Sequence, residues 1–261
     1  MVKIKKINDN IWEIPKEKGM NVPAFIFASS SLLENMKKDK TMEQIRNVAK
    51  MKGVIGAVYS MPDSHQGYGF PIGGVAAFDL DKGVVSPGGV GYDINCGVRL
   101  LTSDISKEDF MKKRKEVMKA LAKNIPSGVG TRSSLSLKQK EIDVVLNTGA
   151  KWALEKGFAT KQDIENIENN GCIAGADASK LSQKAKGRGL NQIGSLGAGN
   201  HFVEVQYVED IFDSSTAKTF GLGKKGKITI LIHSGSRGLG HQVASDYIKA
   251  MEEKYGFKDL P

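Results

Sequence analysis

A stretch of fourteen residues, 86–99, places the tightest limits on how this chain can fold. It reads Ser-Pro-Gly-Gly-Val-Gly-Tyr-Asp-Ile-Asn-Cys-Gly-Val-Arg and contains four glycines, one carboxylate and one of the chain's two cysteines. Because an ordered glycine loses more backbone entropy than any other residue, this density predicts positive φ angles or a close approach to a ligand. Asp93 and Cys96 are three residues apart, so one turn could aim an oxygen and a sulfur at the same point. The stretch therefore indicates a metal site.

Length and composition predict a globular protein of one large or two small domains. The 261 residues are 40% hydrophobic, enough to bury a sizeable core. No run approaches the ~18 apolar residues that cross a bilayer, and the N-terminus lacks the apolar core of a signal peptide. We therefore expect a cytoplasmic protein with no membrane partner. Cys96 and Cys172 do not make a disulfide framework, and Cys172, without a metal-type neighbour, is predicted to be a small core residue.

The chain carries a formal charge of +9, from 38 Lys and Arg against 29 Asp and Glu. Such an excess favours a polyanionic partner, nucleic acid first, because bound phosphates release their counterions. The alternative is that scattered lysines only keep the protein in solution.

Hydrophobic patterning predicts an α+β fold with mixed or antiparallel sheets. Strands are expected at 11–15, 54–61, 73–80, 98–101, 202–206 and 228–232, and helices at 107–123, 138–147, 161–168, 177–186 and 239–254. The first strand ends at a proline and is predicted to be an edge strand, whereas 228–232 is the clearest buried strand. We expect a single domain over 1–261, with a helical insertion at about 105–190 between two groups of strands.

Histidines occur where predicted strands meet glycine-rich loops. His65 follows a strand together with Asp63, His201 stands beside Asn200 at the start of another, and His233 ends a third. With Asp93 and Cys96, these positions strengthen the prediction of a metal site. His241 lies within a predicted helix and is expected to be structural or to support a metal ligand.

The donor types leave the metal open at this point. Cysteine with histidine argues for zinc, whereas Asp and Asn favour manganese or magnesium. A mixed set could also hold two ions around a shared thiolate, an arrangement suited to phosphoryl transfer.

The loop 233–238 could also bind phosphate. The hydroxyls of Ser234 and Ser236, the Arg237 guanidinium and the start of the following helix would supply donors. The loop has the spacing of neither a Walker loop nor a dinucleotide fingerprint, and the alternative is a tight strand-to-helix turn.

Four blocks together resemble a known family. They are Met-Pro-Asp-Ser-His-Gln-Gly-Tyr-Gly-Phe-Pro-Ile-Gly-Gly-Val-Ala at 61–76, the stretch 86–99, Gly-Ser-Leu-Gly-Ala-Gly-Asn-His-Phe-Val-Glu-Val at 194–205, and His-Ser-Gly-Ser-Arg-Gly-Leu-Gly-His-Gln at 233–242. In order and spacing they resemble the RtcB family of RNA-splicing ligases over nearly the whole chain.

The resemblance implies an enzyme for tRNA splicing or RNA repair that joins RNA 3′-phosphate or 2′,3′-cyclic phosphate ends to 5′-hydroxyl ends, using GTP and manganese, two ions being expected. By motif, it implies metal ligands at Asp93, Cys96, His201 and His233, with Cys96 bridging both ions. It implies guanylate contacts at Asn200, Phe202 and Glu204, and polar residues near the RNA phosphate at Asp63 and Arg237.

The resemblance also implies an incomplete fold. Family members are considerably longer, and the histidine that becomes guanylylated matches none of this chain's four. We therefore expect a truncated or split protein that is inactive alone, with RNA, an archease-type activator and a missing C-terminal half as partners. The alternatives are a metal-dependent RNA-binding fragment and, less favoured, a metal-dependent phosphoesterase.

Overall fold

The computed structural model describes residues 2–135 and 137–256, and these form two compact units. The first unit contains the described residues up to Gly91 and those from Ile248 onwards, and the second is Tyr92–Tyr247. Each unit holds one sheet together with helices, so the predicted α+β fold with mixed and antiparallel sheets is confirmed. The single domain expected for 1–261 stays a prediction.

The sheet of the first unit has five strands in chain order: β1 (Lys5–Lys6), β2 (Ile11–Ile14), β3 (Ala24–Phe27), β4 (Val54–His65) and β5 (Ile72–Phe78). β3 and β4 are parallel, and the other neighbours are antiparallel. Helices α1 (Ser30–Met36) and α2 (Thr41–Val48) pack against β4, and α3 (Pro87–Val90) is a short helix later in the unit. The side chains of Ile14, Ile26, Ile45 and Val58 are fully buried in the resulting core.

Two predictions for this sheet are wrong. β2 is not an edge strand, because β1 pairs with it on the side opposite β3. β4 continues four residues beyond the predicted end at 61, which places Asp63 and His65 within the strand rather than in a loop. The strand persists past Pro62 because its register with β5 shifts between Ser60 and His65. A hydrogen bond of 2.7 Å from the Ser60 hydroxyl to the Ser64 hydroxyl stabilises this irregular part of the strand.

The second unit has a three-stranded antiparallel sheet of β6 (Gly97–Ser106), β7 (Phe202–Tyr207) and β8 (Lys227–Ser234), in the order β6-β8-β7. Between β6 and β7 lie α4 (Lys107–Asn124), α5 (Gln139–Thr148), α6 (Ala150–Glu155), α7 (Lys161–Glu165) and α8 (Gln183–Gly189), with 3-10 turns at Glu168–Gly171 and Ala178–Lys180. These elements occupy the predicted helical insertion. α9 (Ser214–Thr219) precedes β8, and α10 (Arg237–Tyr255) follows it.

The interior of this unit is small. Leu137, Ile142 and Trp152 form its buried cluster, and of β8 only Ile228 and Thr229 are buried. Cys172 is half-buried beside an open cleft and lies outside the cluster, so its prediction as a core residue is wrong. None of the helices in 2–135 and 137–256 is long and apolar enough to cross a membrane.

The N-terminus of α4 is fixed by Ser106. Its hydroxyl accepts a hydrogen bond from the Asp109 N–H at 3.1 Å and donates one to the Asp109 carboxylate at 2.9 Å. We expect Ser106→Ala to lower the free energy of unfolding by about 1 kcal/mol, the usual cost of losing an N-cap. Urea denaturation followed by circular dichroism measures this. Ser106→Thr retains both the donor and the acceptor and should stay near the wild type; an equal loss in both variants would contradict the capping role.

Candidate metal centre

A tight turn brings Asp93 and Cys96 together. The Cys96 N–H donates to the Asp93 carbonyl at 3.1 Å, and Asn95 between them takes a φ of 58°. Asn tolerates this left-handed conformation better than most residues. The two side chains therefore lie on the same side of the turn, as their spacing predicts.

The sheet supplies the two histidines from distant parts of the chain. His233 lies on the central strand β8, directly opposite Val98 of β6 and Phe202 of β7. Cys96 immediately precedes β6, and His201 immediately precedes β7. The pairing register therefore fixes all three residues at the same end of the sheet.

The four predicted metal ligands meet there. Cys96 Sγ lies 2.9 Å from His233 Nε2 and 3.4 Å from His201 Nε2, and His201 Nε2 lies 2.6 Å from Asp93 Oδ2. Ligand atoms of Asp93, Cys96 and His201 all lie within 4.8 Å of one another, and His233 is not a member of that group. The thiol thus stands between two sets of donors, Asp93 with His201 on one side and His233 on the other.

The acids of the centre have shifted pKa values. Burial raises the pKa of the Asp93 carboxyl, but hydrogen bonds from Cys96, Ser236 and His201 outweigh that effect and hold it below its ordinary value. Burial and the Asp93 carboxylate together raise the pKa of the Cys96 thiol to about 12. A nearby cation has the opposite effect on a thiol, because it favours the thiolate.

Residues after β8 hold the candidate metal ligands in place. The Ser236 hydroxyl donates to Asp93 Oδ1 at 3.0 Å, so that both carboxylate oxygens have a partner. Arg237 Nη1 lies 3.4 Å from His201 Nδ1, on the far side of the ring from the thiol. Sequence reasoning does not assign Ser236 this contact with Asp93, because 143 residues separate the two and nothing local signals it.

Two glycines make room for these contacts. A Cβ on Gly235 would lie 2.6 Å from Asp93 Oδ1, and one on Gly197 would lie 2.6 Å from the Arg237 guanidinium carbon. A hydrogen bond of 2.7 Å from the Gly128 N–H to the Gly197 carbonyl anchors the loop that carries Gly197. The glycine-rich sequence at 194–199 is the local signal that this backbone has to pass close to other groups.

The prediction that the hydroxyls of Ser234 and Ser236 bind phosphate is wrong. Ser234 donates to the Leu196 carbonyl at 2.7 Å and Ser236 donates to Asp93, so neither hydrogen is available to a phosphate. The Gly238 N–H near the start of α10 is also taken, by Gln192 Oε1 at 2.9 Å. These donors support the candidate metal centre and the turn instead.

The predicted guanylate residues lie beside the centre. Phe202 packs edge-on against the His233 ring, with 5.3 Å between ring centroids. Residues directly opposite each other in antiparallel strands share a face of the sheet, so Phe202 lies on the same face as His233. Glu204 lies on that face too, because side chains two residues apart in a strand point to the same side. Glu204 is exposed and accepts a hydrogen bond from Gln206, and Asn200 is exposed in the loop before β7.

The remaining candidates lie elsewhere. Asp63 belongs to the first unit, where its carboxylate stands over Gly73, and His65 is exposed with Nδ1 2.8 Å from the Asp63 carbonyl. His241 lies in α10, where its ring packs against Tyr92 at 5.1 Å, in keeping with a structural role. The role predicted for Asp63 stays a prediction.

Comparison with known proteins points to one family. The family model described as tRNA-splicing ligase RtcB matches residues 44–261. The chain is 52% identical over 260 residues to the tRNA-splicing ligase RtcB of Thermococcus kodakarensis, covering 98% of this chain and 54% of that protein. It is 47% identical to the protein of the same name from Nanoarchaeum equitans, covering 100% of this chain and 54% of that protein. It is also 46% identical over 243 residues to RNA-splicing ligase RtcB homolog 1 of Entamoeba histolytica, covering 88% of this chain and 46% of that protein. The chain thus spans about half the length of the curated relatives it matches.

Proposed function

Since the chain belongs to the RtcB family of tRNA-splicing ligases, we propose that it supplies the metal-binding part of a GTP- and manganese-dependent RNA ligase. The reaction would join RNA ending in a 3′-phosphate or 2′,3′-cyclic phosphate to RNA with a 5′-hydroxyl. The observation that carries this proposal is the Cys96 thiol lying between His201 and His233, with Asp93 against His201.

The donor set fits a pair of divalent ions. Asp93 and His201 would hold one ion and His233 the other, with the Cys96 thiolate shared. One carboxylate, two imidazoles and a thiolate suit either manganese or zinc, and family membership favours manganese. When bound, two cations would neutralise the charge that builds up on phosphate and pyrophosphate oxygens during phosphoryl transfer.

The chain's own residues would arrange the centre around those ions. Ser236 holds the Asp93 carboxylate in position, and Arg237 limits rotation of the His201 ring. Phe202 and Glu204, on the face shared with His233, would contact the guanylate together with Asn200. Arg237 and Asp63 are proposed to act near the RNA phosphate.

The histidine that would carry GMP is proposed to lie outside these 261 residues. Activity would then depend on further polypeptide, with RNA as substrate and an archease-type protein as activator. The excess of basic residues, a charge of +9, is in keeping with a polyanionic substrate.

Labelled GTP tests this division of labour. The chain incubated with manganese and labelled GTP should give no labelled band at 28.2 kDa after denaturing electrophoresis. A chimera that continues the chain with the remaining residues of the Thermococcus kodakarensis relative should be labelled, and should join a 2′,3′-cyclic phosphate RNA to a 5′-hydroxyl RNA.

Three outcomes would contradict parts of the proposal. Label on the chain alone would place the nucleophile within it. A folded chimera that releases phosphate from 3′-phosphorylated RNA without joining would identify a phosphoesterase. A Cys96→Ala chimera that ligates as well as the unmodified one would remove the thiolate from the mechanism.

A further inference from the structure

We propose that the exposed face of α4 is a binding surface for the phosphate backbone of single-stranded RNA. The surface consists of Lys112, Lys115, Lys119 and Lys123, which we call the α4 lysine row. The choice of RNA rests on the proposed function, whereas the surface itself follows from the helix.

Helical geometry aligns the lysine row. At 3.6 residues per turn, positions 112, 119 and 123 fall within about 40° of one another around the helix axis, and 115 lies within about 80° of them all. A rise of about 1.5 Å per residue spreads the row over about 16 Å along the axis. That length is sufficient to face several consecutive phosphates of one strand.

Most cations of the row are free to bind a ligand. All four lysines are exposed, and within the described ranges Lys115, Lys119 and Lys123 form no ion pair. Lys112 pairs with Asp109, an exposed contact that water and salt screen. The helix as a whole carries seven basic and three acidic residues. Lys115, Lys119 and Lys123 have no acidic residue four positions away, so they lack the i and i+4 pairs of an ordinary charged helix surface.

The acidic residues of α4 do not cancel the row. Glu108 and Asp109 lie in the first turn, where a negative charge suits the helix dipole, and only Asp109 reaches a lysine of the row, at 2.8 Å from Lys112. Glu116 lies on the face of the row, within about 60° of three of its lysines around the axis, but it forms no ion pair with them within the described residues. Beyond the first turn the row thus keeps three unpaired lysines against one acid.

The other face of α4 is already used. Phe110, Val117 and Leu121 are half-buried, and the helix contacts β6 and β8. A basic helix that binds a membrane must bury its apolar face in the lipid; here Phe110, Val117 and Leu121 lie on the side facing the protein's own sheet, and of the larger apolar side chains Met111 and Met118 are half exposed. The remaining interaction is electrostatic and independent of sequence, which is how proteins hold nucleic acid backbones.

Fluorescence anisotropy with a short labelled single-stranded RNA tests the surface. A variant with all four lysines of the row changed to Gln should bind at least tenfold more weakly, and the slope of log K against log salt should fall by about 3, near 0.7 for each lost contact. The matched control changes Lys3, Lys16, Lys18 and Lys52 to Gln; these are also exposed, lie in the first unit and carry no ion pair within the described residues. Because both variants lose four charges, a specific surface predicts a loss only in the first.

Lysine acetylation read by mass spectrometry locates the contact directly. Bound RNA should protect Lys112, Lys115, Lys119 and Lys123 and leave the four control lysines reactive. Equal affinities in both variants, or equal acetylation with and without RNA, would overturn the proposal. So would a row variant that keeps RNA affinity but no longer binds anionic lipid vesicles, which would make the surface a membrane contact. Manganese binding and GTP labelling do not depend on these lysines, so failure of this surface and failure of the ligase proposal are distinguishable.

Discussion

Cys96→Ala is expected to weaken manganese binding by more than about 100-fold. Changing a residue that only orients a metal ligand typically costs 10–100-fold, and Cys96 is the group that stands between both sets of donors. Its Sγ lies within 3.4 Å of a nitrogen of both His201 and His233, so the substitution removes a donor from both sides of the centre. Isothermal titration calorimetry gives the affinity and the stoichiometry, and the stoichiometry should fall if the thiolate is shared.

The second cysteine provides the matched control. Cys172 is half-buried, donates weakly to the Asn147 carbonyl at 3.5 Å and does not belong to the ligand group. Cys172→Ala should bind manganese like the wild type. Unchanged affinity and stoichiometry in Cys96→Ala would rule out its proposed role.

Gly235→Ala is expected to damage the same centre without removing any ligand. The new methyl would lie 2.5 Å from the Asp93 carboxylate carbon, and that carboxylate is held on both oxygens by Ser236 and His201. Gly235 does not have positive φ, so alanine is allowed by the backbone and the effect comes from the clash alone. Because Asp93 must leave its position, we expect manganese affinity to fall by about 10- to 100-fold.

Gly187→Ala controls for the added methyl. Gly187 lies in α8, and a methyl added there would have nothing within 4 Å of it. Alanine at this position should keep manganese affinity and raise helix stability by about 0.5–1 kcal/mol. Calorimetry and urea denaturation on both variants separate loss of the site from loss of the fold. Full manganese affinity in Gly235→Ala would show that Asp93 is not a ligand.

Local features of this protein are predictable from the sequence. The spacing of Asp93 and Cys96 predicts their turn, and the periodicity of 107–123 predicts α4 nearly to the residue. The glycines of 86–99 predict positive φ or close approach, and Gly91 has a φ of 81° while a Cβ on Gly88 would meet the Tyr68 carbonyl at 2.5 Å. Each of these depends on neighbours in the chain, which a sequence displays directly.

Features that depend on distant partners are not predictable from the residues alone. Alternation shows that a strand exists but not which strand pairs with it, so nothing in the sequence assigns β8 the central position. The same limit explains why the sequence points to phosphate as the partner of the Ser236 hydroxyl, since its actual partner Asp93 lies 143 residues away. Resemblance to a family supplies the grouping of the four ligands.

Because β8 is the central strand, a metal ion bound at the candidate centre would act as a reversible cross-link. Cys96 and His233 are 137 residues apart, and the chain between them contains α4 to α9. A cation held by both would close that loop, and it could bind only after β6 and β8 have paired in the correct register. A chelator should then act as a reducing agent does on a disulfide, because it would release the long loop. It should lower the unfolding temperature of the second unit, and the decrease should be larger the further the metal concentration before chelation exceeds Kd.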